Sequence, residues 1–406
     1  MKSNSFRFLW MGQLFANLGD IFYVMGLISI LYAMTGSAMY LVLLPFLNTF
    51  GRFISGAISP LLLNKYRLKS LLVSSQLSKT TILFILAFCL SFQLTVGIWL
   101  IVYCILFIAF FDGWAMPATN AMIPRVVKEA ELLKANSIIS MINETVQIGG
   151  WALGGMLVTL INGQNTIWLT FSLFIVSTIM MIRIVDHTPF QVKVEKQRTV
   201  ETLKAGWLTI WKNPFFRSIH VMIFIEAMAN VVWVAAILYV FVTEVLKVTE
   251  AWWGYINTAF FLGLLLGGVI CSRFSVKLEK NIRKTVLYSS FGVSIITFLF
   301  GINSIAWLAL IMVAISGFLD QIKGITIHTY LQKEASAEDL PKIYSVQSSM
   351  ISLVFGISTL AFGVIVEYMS VQLTFLIAGF LLIGSSIYLL GIKKRFPNDY
   401  ILEKEN

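Results

Sequence analysis

Long apolar runs, separated by short polar stretches, dominate the pattern of hydrophobic positions along the chain. Three of these runs, at 8–34, 96–118 and 371–391, exceed the roughly 20 residues that a helix needs to cross a bilayer. The pattern predicts an all-α polytopic membrane protein with twelve transmembrane helices, at residues 8–34, 39–63, 70–92, 96–122, 137–161, 167–185, 217–246, 251–273, 285–302, 305–330, 343–368 and 371–391.

The composition agrees with a membrane protein, and the length of the apolar runs excludes a soluble protein with an unusually large core. Hydrophobic residues make up 58% of the 406 residues and charged residues only 12%, and the mean hydropathy is +0.84. Soluble domains carry about twice that share of charge, ~25%.

Lysine and arginine concentrate in alternate loops between the predicted helices. The even-numbered loops carry KYRLK at 65–69, RVVKEAELLK at 125–134 and KLEKNIRK at 277–284, whereas the odd-numbered loops are almost bare of basic residues. The positive-inside rule places the basic loops in the cytoplasm. We therefore expect a multi-pass protein of the bacterial inner cell membrane with both termini cytoplasmic, and no nucleic-acid partner despite the net charge of +10.

The longest segment outside the predicted spans runs from 186 to 216 and divides them six plus six. Within it, Val200, Leu203, Trp207 and Trp211 recur at helical spacing, which predicts an amphipathic helix on the inner membrane surface. The predicted domains are therefore an N-terminal six-helix bundle, a cytoplasmic linker, and a C-terminal six-helix bundle with a short cytoplasmic tail, at 1–185, 186–216 and 217–406.

Motifs for cofactors or catalysis are not evident. The sequence has no GxxxxGK[ST] phosphate-binding loop, so we expect no ATP hydrolysis by this chain. The three cysteines and three histidines show neither paired nor metal-ligand spacing; they are Cys89, Cys104, Cys271, His187, His220 and His328. We expect no metal, no cofactor and no enzymatic activity, so uphill transport would draw on an ion gradient or on a partner.

The two halves of the chain contain traces of an internal repeat. A shift of 208 residues places Asp112 on Asp320, and the same shift superimposes the pairs Leu132/Leu340, Lys134/Lys342, Ser137/Ser345, Val146/Val354 and Gly155/Gly363. Two parallel six-helix repeats around a central site are an architecture typical of transporters.

Several segments resemble one transporter family, the major facilitator superfamily, and within it the drug-proton antiporter branch with macrolide-efflux-like and siderophore-exporter-like members. They are FRFLWMGQLFANLGDIFYVMGLISILYAMTGSA at 6–38, PATNAMIPRVVKEAELLKANSIIS at 117–140, GGWALGGML at 149–157 and WKNPFFR at 211–217. The resemblance implies two pseudo-symmetric six-helix bundles and proton-coupled efflux. Asn64-Lys65 replaces the family's acidic residue and arginine, and Gly150-Trp151 replaces the Gly-Pro of its antiporter motif.

Three carboxylates in the predicted spans are candidates for proton coupling: Asp20, Glu144 and Glu226. Asp20 lies 13 residues past Arg7, about 20 Å along a helix and so near the middle of the bilayer. Arg52 in the second span is the expected electrostatic partner. Charges inside a membrane usually mark functional sites. The alternative for Asp20 and Arg52 is a static ion pair that only locks helices together. For Glu226 the alternative is a role in packing, and for Glu144 a role in a cytoplasmic gate.

Other residues have different predicted roles. Asp112, Asp320 and Lys323 lie nearer the predicted cytoplasmic ends of their spans, so we expect a salt-bridge or helix-cap network there that holds the inner face closed. Direct proton carriage by the two aspartates is the alternative. Polar and aromatic residues for a substrate pocket are Asn17, Tyr23, Trp151, Asn230 and Trp233. Small residues for close helix packing are Gly150, Gly154 and Gly155.

The sequence thus predicts a monomeric secondary transporter, embedded in lipid, that exports amphiphilic drug-like or macrolide-like molecules in exchange for protons. A siderophore exporter, or an importer or uniporter of a small polar nutrient, would share the fold. A transport-inactive membrane sensor or scaffold is an alternative from another class.

Overall fold

The computed structural model describes residues 3–35, 39–92, 97–186, 188, 199–233, 235–249 and 251–392. Within these ranges, the side chains of 39–43, 45, 64, 151–152, 199–203 and 235–236 are not described. Every regular element of the described residues is a helix.

The first half of the chain forms long helices joined by short connections. They are α1 (Asn4–Thr35), α2 (Met39–Lys65), α3 (Leu68–Ser91), α4 (Ile98–Gly113), α5 (Ala115–Val126), a 3-10 turn (Glu129–Glu131) and α6 (Leu132–Ile182). The amphipathic segment of the predicted linker is helical, as α7 (Thr199–Lys212).

The second half of the chain also consists of helices joined by short connections. Its helices are α8 (Pro214–Ala229), a 3-10 segment (Asn230–Trp233), α9 (Ala235–Glu244), α10 (Ala251–Arg273), α11 (Ser275–Glu279), α12 (Ile282–Ile302), α13 (Ala306–Glu334), α14 (Leu340–Tyr368) and α15 (Val371–Gly391).

Eleven stretches among the described residues are long and apolar enough to cross a membrane. The twelfth span comes from α6, which is two helices joined at Asn162, where the backbone has φ 63° and ψ 168°. The side chain of Asn162 accepts a hydrogen bond from the backbone N–H of Asn165 at 3.0 Å and so caps the second helix. The twelve-helix prediction is confirmed.

Packing against α1 shows that the chain reverses direction at Asn162. Before the turn, Gly150 contacts Ile21 and Gly154 contacts Met25, so the first part of α6 runs parallel to α1. After the turn, the second part of α6 runs antiparallel to α1. It packs on three α1 glycines spaced seven residues apart, in the pairs Gly26/Ile167, Gly19/Phe174 and Gly12/Met181. The two parts of α6 therefore form an antiparallel hairpin whose turn is a single residue.

Two spans predicted as continuous helices are interrupted. The fourth divides into α4 and α5 at Trp114. Pro117 has no N–H to donate to the carbonyl of Gly113 one turn earlier, which weakens the helix at this point. The seventh divides into α8 and α9 through the 3-10 segment.

The chain forms two compact units by contact. Unit 1 comprises 1–129, 142–207 and 335–349, and unit 2 comprises 130–141, 208–334 and 350–406. Each has its own apolar core, with Leu27, Leu83 and Phe174 in unit 1 and Phe241, Phe300 and Phe375 in unit 2. The short segments 130–141 and 335–349 were not expected in these units, and the predicted boundary at 186–216 stays a prediction.

Each unit contains one very close helix crossing at glycines. In unit 1, α2 crosses α4 where a Cβ on Gly51 would lie 2.9 Å from the carbonyl oxygen of Leu106. In unit 2, α10 crosses α13 where a Cβ on Gly263 would meet the carbonyl oxygen of Ala314. Leu106 and Ala314 are related by the 208-residue shift of the sequence repeat, and Gly51 and Gly263 by 212 residues. The crossings are thus corresponding features of the two repeats.

Candidate functional site: two lysine-centred charge clusters

A buried lysine joins two carboxylates in unit 1. Lys79 Nζ on α3 lies 2.8 Å from Asp20 Oδ1 on α1 and 2.9 Å from Asp112 Oδ1 on α4. Arg52 on α2 completes the group, with its Nη2 atom 2.8 Å from Asp112 Oδ2. We call these four residues the N-cluster.

The residues packed around Lys79 hold its side chain in place within the N-cluster. The side chain of Lys79 is only 1% exposed, and its Nζ atom lies 5.0 Å from the centre of the Phe174 ring, a cation–π distance. Phe174 in turn fills the space beside Gly19, the residue before Asp20. The lysine is thus enclosed by two acids and an aromatic face, which together compensate its charge.

The glycine crossing of unit 1 brings Arg52 to Asp112. A Cβ on Gly113, the last residue of α4, would lie 2.8 Å from the carbonyl oxygen of Arg52. The backbones of α2 and α4 therefore touch beside the ion pair. The Arg52 side chain is 43% exposed, so this ion pair is the open side of the N-cluster.

A second buried lysine joins two carboxylates in unit 2. Lys323 Nζ lies 3.0 Å from Asp320 Oδ1, one turn earlier on α13, and 3.2 Å from Glu226 Oε2 on α8. The exposed fractions of the side chains are 5% for Lys323, 12% for Glu226 and 35% for Asp320. We call these three residues the C-cluster.

The structure brings together residues that were predicted to have separate roles. Asp20, a proton-coupling candidate, and Asp112, a gate candidate, share Lys79. Glu226 and Asp320 share Lys323 in the same way. The gate role of Asp112, Asp320 and Lys323 and the coupling role of the other acids stay predictions, but they concern the same two clusters.

Lys79 is the member that the sequence analysis did not assign. Arg52 was the expected partner of Asp20, whereas the structure pairs Asp20 with Lys79 and Arg52 with Asp112. The sequence did contain a sign of this pairing, because a lysine in the middle of an apolar span is energetically costly unless an acid neutralises it.

The polar pocket candidates occupy varied positions. Asn17 donates a hydrogen bond to Asn143 Oδ1 at 2.8 Å, which links α1 to α6 beside the half-buried Glu144. Tyr23 is 1% exposed and its hydroxyl accepts a hydrogen bond from Asn48 at 2.7 Å, so it belongs to the packed interior in this structure.

The remaining candidates lie elsewhere. Asn230 begins the 3-10 segment, and Trp233 packs against Phe300 and Phe375 in the core of unit 2. The side chain of Trp151 lies outside the described residues. Gly150 and Gly154 contact α1, as already described, while no heavy atom outside its own helix lies within 4 Å of a Cβ placed on Gly155.

Metal-binding chemistry has no evident basis in the part of the chain that the structure describes. No group of three or more His, Cys, Asp or Glu residues converges there, and all three cysteines are free.

Comparison with known proteins identifies the family. The family model of the Major Facilitator Superfamily matches residues 9–338. The uncharacterized MFS-type transporter YfmI of Bacillus subtilis (strain 168) is 30% identical over 391 residues, which cover 95% of this chain and 96% of YfmI.

Two solved structures share the fold. The human organic anion transporter MFSD10 (TETRAN) superimposes with a TM-score of 0.76 at 9% identity and covers 95% of this chain and 99% of its own. The E. coli fucose:proton symporter FucP superimposes with a TM-score of 0.72 at 15% identity, with 96% and 97% of the two chains covered. With twelve spans, two units and the family match, the chain belongs to the Major Facilitator Superfamily and is a multi-pass membrane transporter.

Proposed function

We propose that this transporter exports amphiphilic small molecules in exchange for protons, by alternating access of its two six-helix halves. The observation that carries the proposal is the buried lysine shared by two carboxylates in each unit. A carboxylate shielded from water can change its charge when a proton or a substrate arrives, which is the property that ion coupling requires of at least one of the two clusters.

The choice of substrate class and direction rests on the sequence. The segments at 6–38 and 117–140 resemble the drug-proton antiporter branch. FucP is a fucose:proton symporter, and MFSD10 is an organic anion transporter. Since the fold serves both directions, the resemblance of the N-terminal half is what favours export of drug-like or macrolide-like compounds, with siderophore-like acids as a further class.

Inside-out vesicles with an acidic interior provide the test. Their basic loops would face the bath, as the distribution of lysine and arginine predicts. Lipophilic cations, macrolides and siderophore-like acids are added in turn while a pH-sensitive dye reports the proton gradient. We expect at least one compound to dissipate the gradient in vesicles that contain the protein and to have no such effect in vesicles without it.

A variant with one acid of each cluster neutralised is the matched control. Asp20→Asn with Glu226→Gln removes one carboxylate from each cluster and keeps the size of both side chains, so the response to the active compound should disappear. If no compound of the panel changed the proton gradient in vesicles with folded wild-type protein, drug-proton antiport would be contradicted. If the proton gradient instead drove uptake of a polar nutrient, the function would be import rather than drug export.

A further inference from the structure

The two clusters differ in charge when all their groups are ionised. The N-cluster has two carboxylates and two cations, Lys79 and Arg52, and is therefore neutral. The C-cluster has two carboxylates but one cation, Lys323, and therefore carries one excess negative charge. An uncompensated charge at membrane depth is costly, so the C-cluster favours the capture of one cation.

The difference arises at one position of the repeat. The glycines of α2 and α10 correspond at a shift of 212 residues, as Gly51/Gly263 and Gly56/Gly268. The same shift places Arg52 on Leu264, an apolar residue that is 7% exposed. Unit 2 thus has a leucine where unit 1 has the arginine that neutralises its second acid.

Other charges near the C-cluster do not restore the balance among the described residues. The charged groups that face Glu226 are Lys323 and Asp320. The helices packed most extensively on α13 are α10 and α12, and their charged residues lie at the helix ends, at Arg273, Arg283 and Lys284. The helix α15, packed on α8, has no charged residue.

We propose that the C-cluster is the site of the driving cation, one H⁺ or one Na⁺ held between Glu226 and Asp320, and that the N-cluster is a permanent ion-pair network. That this cation drives transport rests on the proposed function, whereas the binding of the cation does not. A bound proton would convert one carboxylate into a neutral carboxyl, while Lys323 keeps its charge and stays paired with the other carboxylate. The more exposed Asp320 would receive the cation, and the more buried Glu226 would retain it.

Infrared difference spectroscopy of the purified protein in lipid nanodiscs tests the proposal without substrate or transport. The pH is varied in sodium-free buffer and the carbonyl band of protonated buried carboxyl groups is followed. For the wild-type protein we expect one such carboxyl per molecule. The band should be lost in Glu226→Gln and in Asp320→Asn, because Lys323 then balances the one acid that remains.

Variants of the N-cluster give the opposite expectation. Asp20→Asn and Asp112→Asn should leave the band in place, because they change the cluster that binds no cation. Arg52→Gln should add a second carboxyl per molecule, because it gives the N-cluster the charge of the C-cluster. Glu226→Asp, which keeps the carboxylate, should retain the band and shows that its loss in Glu226→Gln is not a folding defect.

The outcomes separate the alternatives. A band that survives in both Glu226→Gln and Asp320→Asn, or that disappears in Asp20→Asn, would overturn the proposal. Added Na⁺ at constant pH distinguishes the two cations, since a sodium site would lose the band and a proton site would keep it. If the carboxyl is present while the vesicle panel is silent, the drug-export function fails and the cation site stands.

Discussion

Lys79→Met should destabilise the protein by about 3–5 kcal/mol, because it leaves Asp20 as a buried carboxylate without its cation. Asp112 keeps Arg52 as its partner, so the cost falls chiefly on Asp20. We expect the apparent Tm of the purified protein in detergent to fall by roughly 10 °C, as measured by thermal unfolding.

The charge explanation has a specific control. Lys79→Met combined with Asp20→Asn restores neutrality, since one acid and Arg52 remain, so much of the lost stability should return. Lys277→Met, at an exposed lysine of α11, should change stability by no more than about 0.5 kcal/mol. If the double variant were no more stable than Lys79→Met alone, the loss would reflect packing of the lysine stem rather than its charge.

Gly263→Ala should be the most damaging single-methyl addition in unit 2. The new Cβ would meet the carbonyl oxygen of Ala314, a backbone atom that cannot turn aside as a flexible side chain can. Forcing extra volume into a packed interior costs about 1–3 kcal/mol, and a rigid partner favours the upper end or beyond. Thermal unfolding and the yield of monodisperse protein would both report the loss.

Gly363→Ala on α14 is the matched substitution for this test. No heavy atom outside its own helix lies within 4 Å of a Cβ at Gly363. Alanine should be tolerated there, or should stabilise slightly, because glycine in a helix interior is less favourable by roughly 0.5–1 kcal/mol. Equal losses for the two variants would mean that the α10–α13 crossing is not the cause.

Much of the fold could be predicted from the sequence, because hydrophobic length directly sets the position of a membrane helix. All twelve spans are found, and the interruptions after Gly113 and near Asn230 were missed since apolar content continues through them. A proline three residues into α5 was the available sign for the first interruption.

The candidate site was predicted only in part, because pairing depends on lateral packing that periodicity does not reveal. Asp20 and Lys79 are 59 residues apart and meet because α1 and α3 belong to one bundle. The match of Asp112 with Asp320 did identify corresponding members of the two clusters. The missing counterpart of Arg52 became visible only when the glycine crossings aligned α2 with α10.

The single-residue turn at Asn162 bears on how the protein is made. Spans five and six are joined with no loop long enough to be translocated separately, and a Cβ on Gly163 would lie 2.9 Å from the carbonyl oxygen of Gly26 on α1, so the turn packs closely on the first helix. We therefore expect the two helices to enter the bilayer together, as a preformed hairpin that docks along the glycine face of α1. Biogenesis of the first bundle would then end in one concerted insertion, and a nascent chain that stops before Phe174 would leave Lys79 without the aromatic ring that packs against its ammonium group.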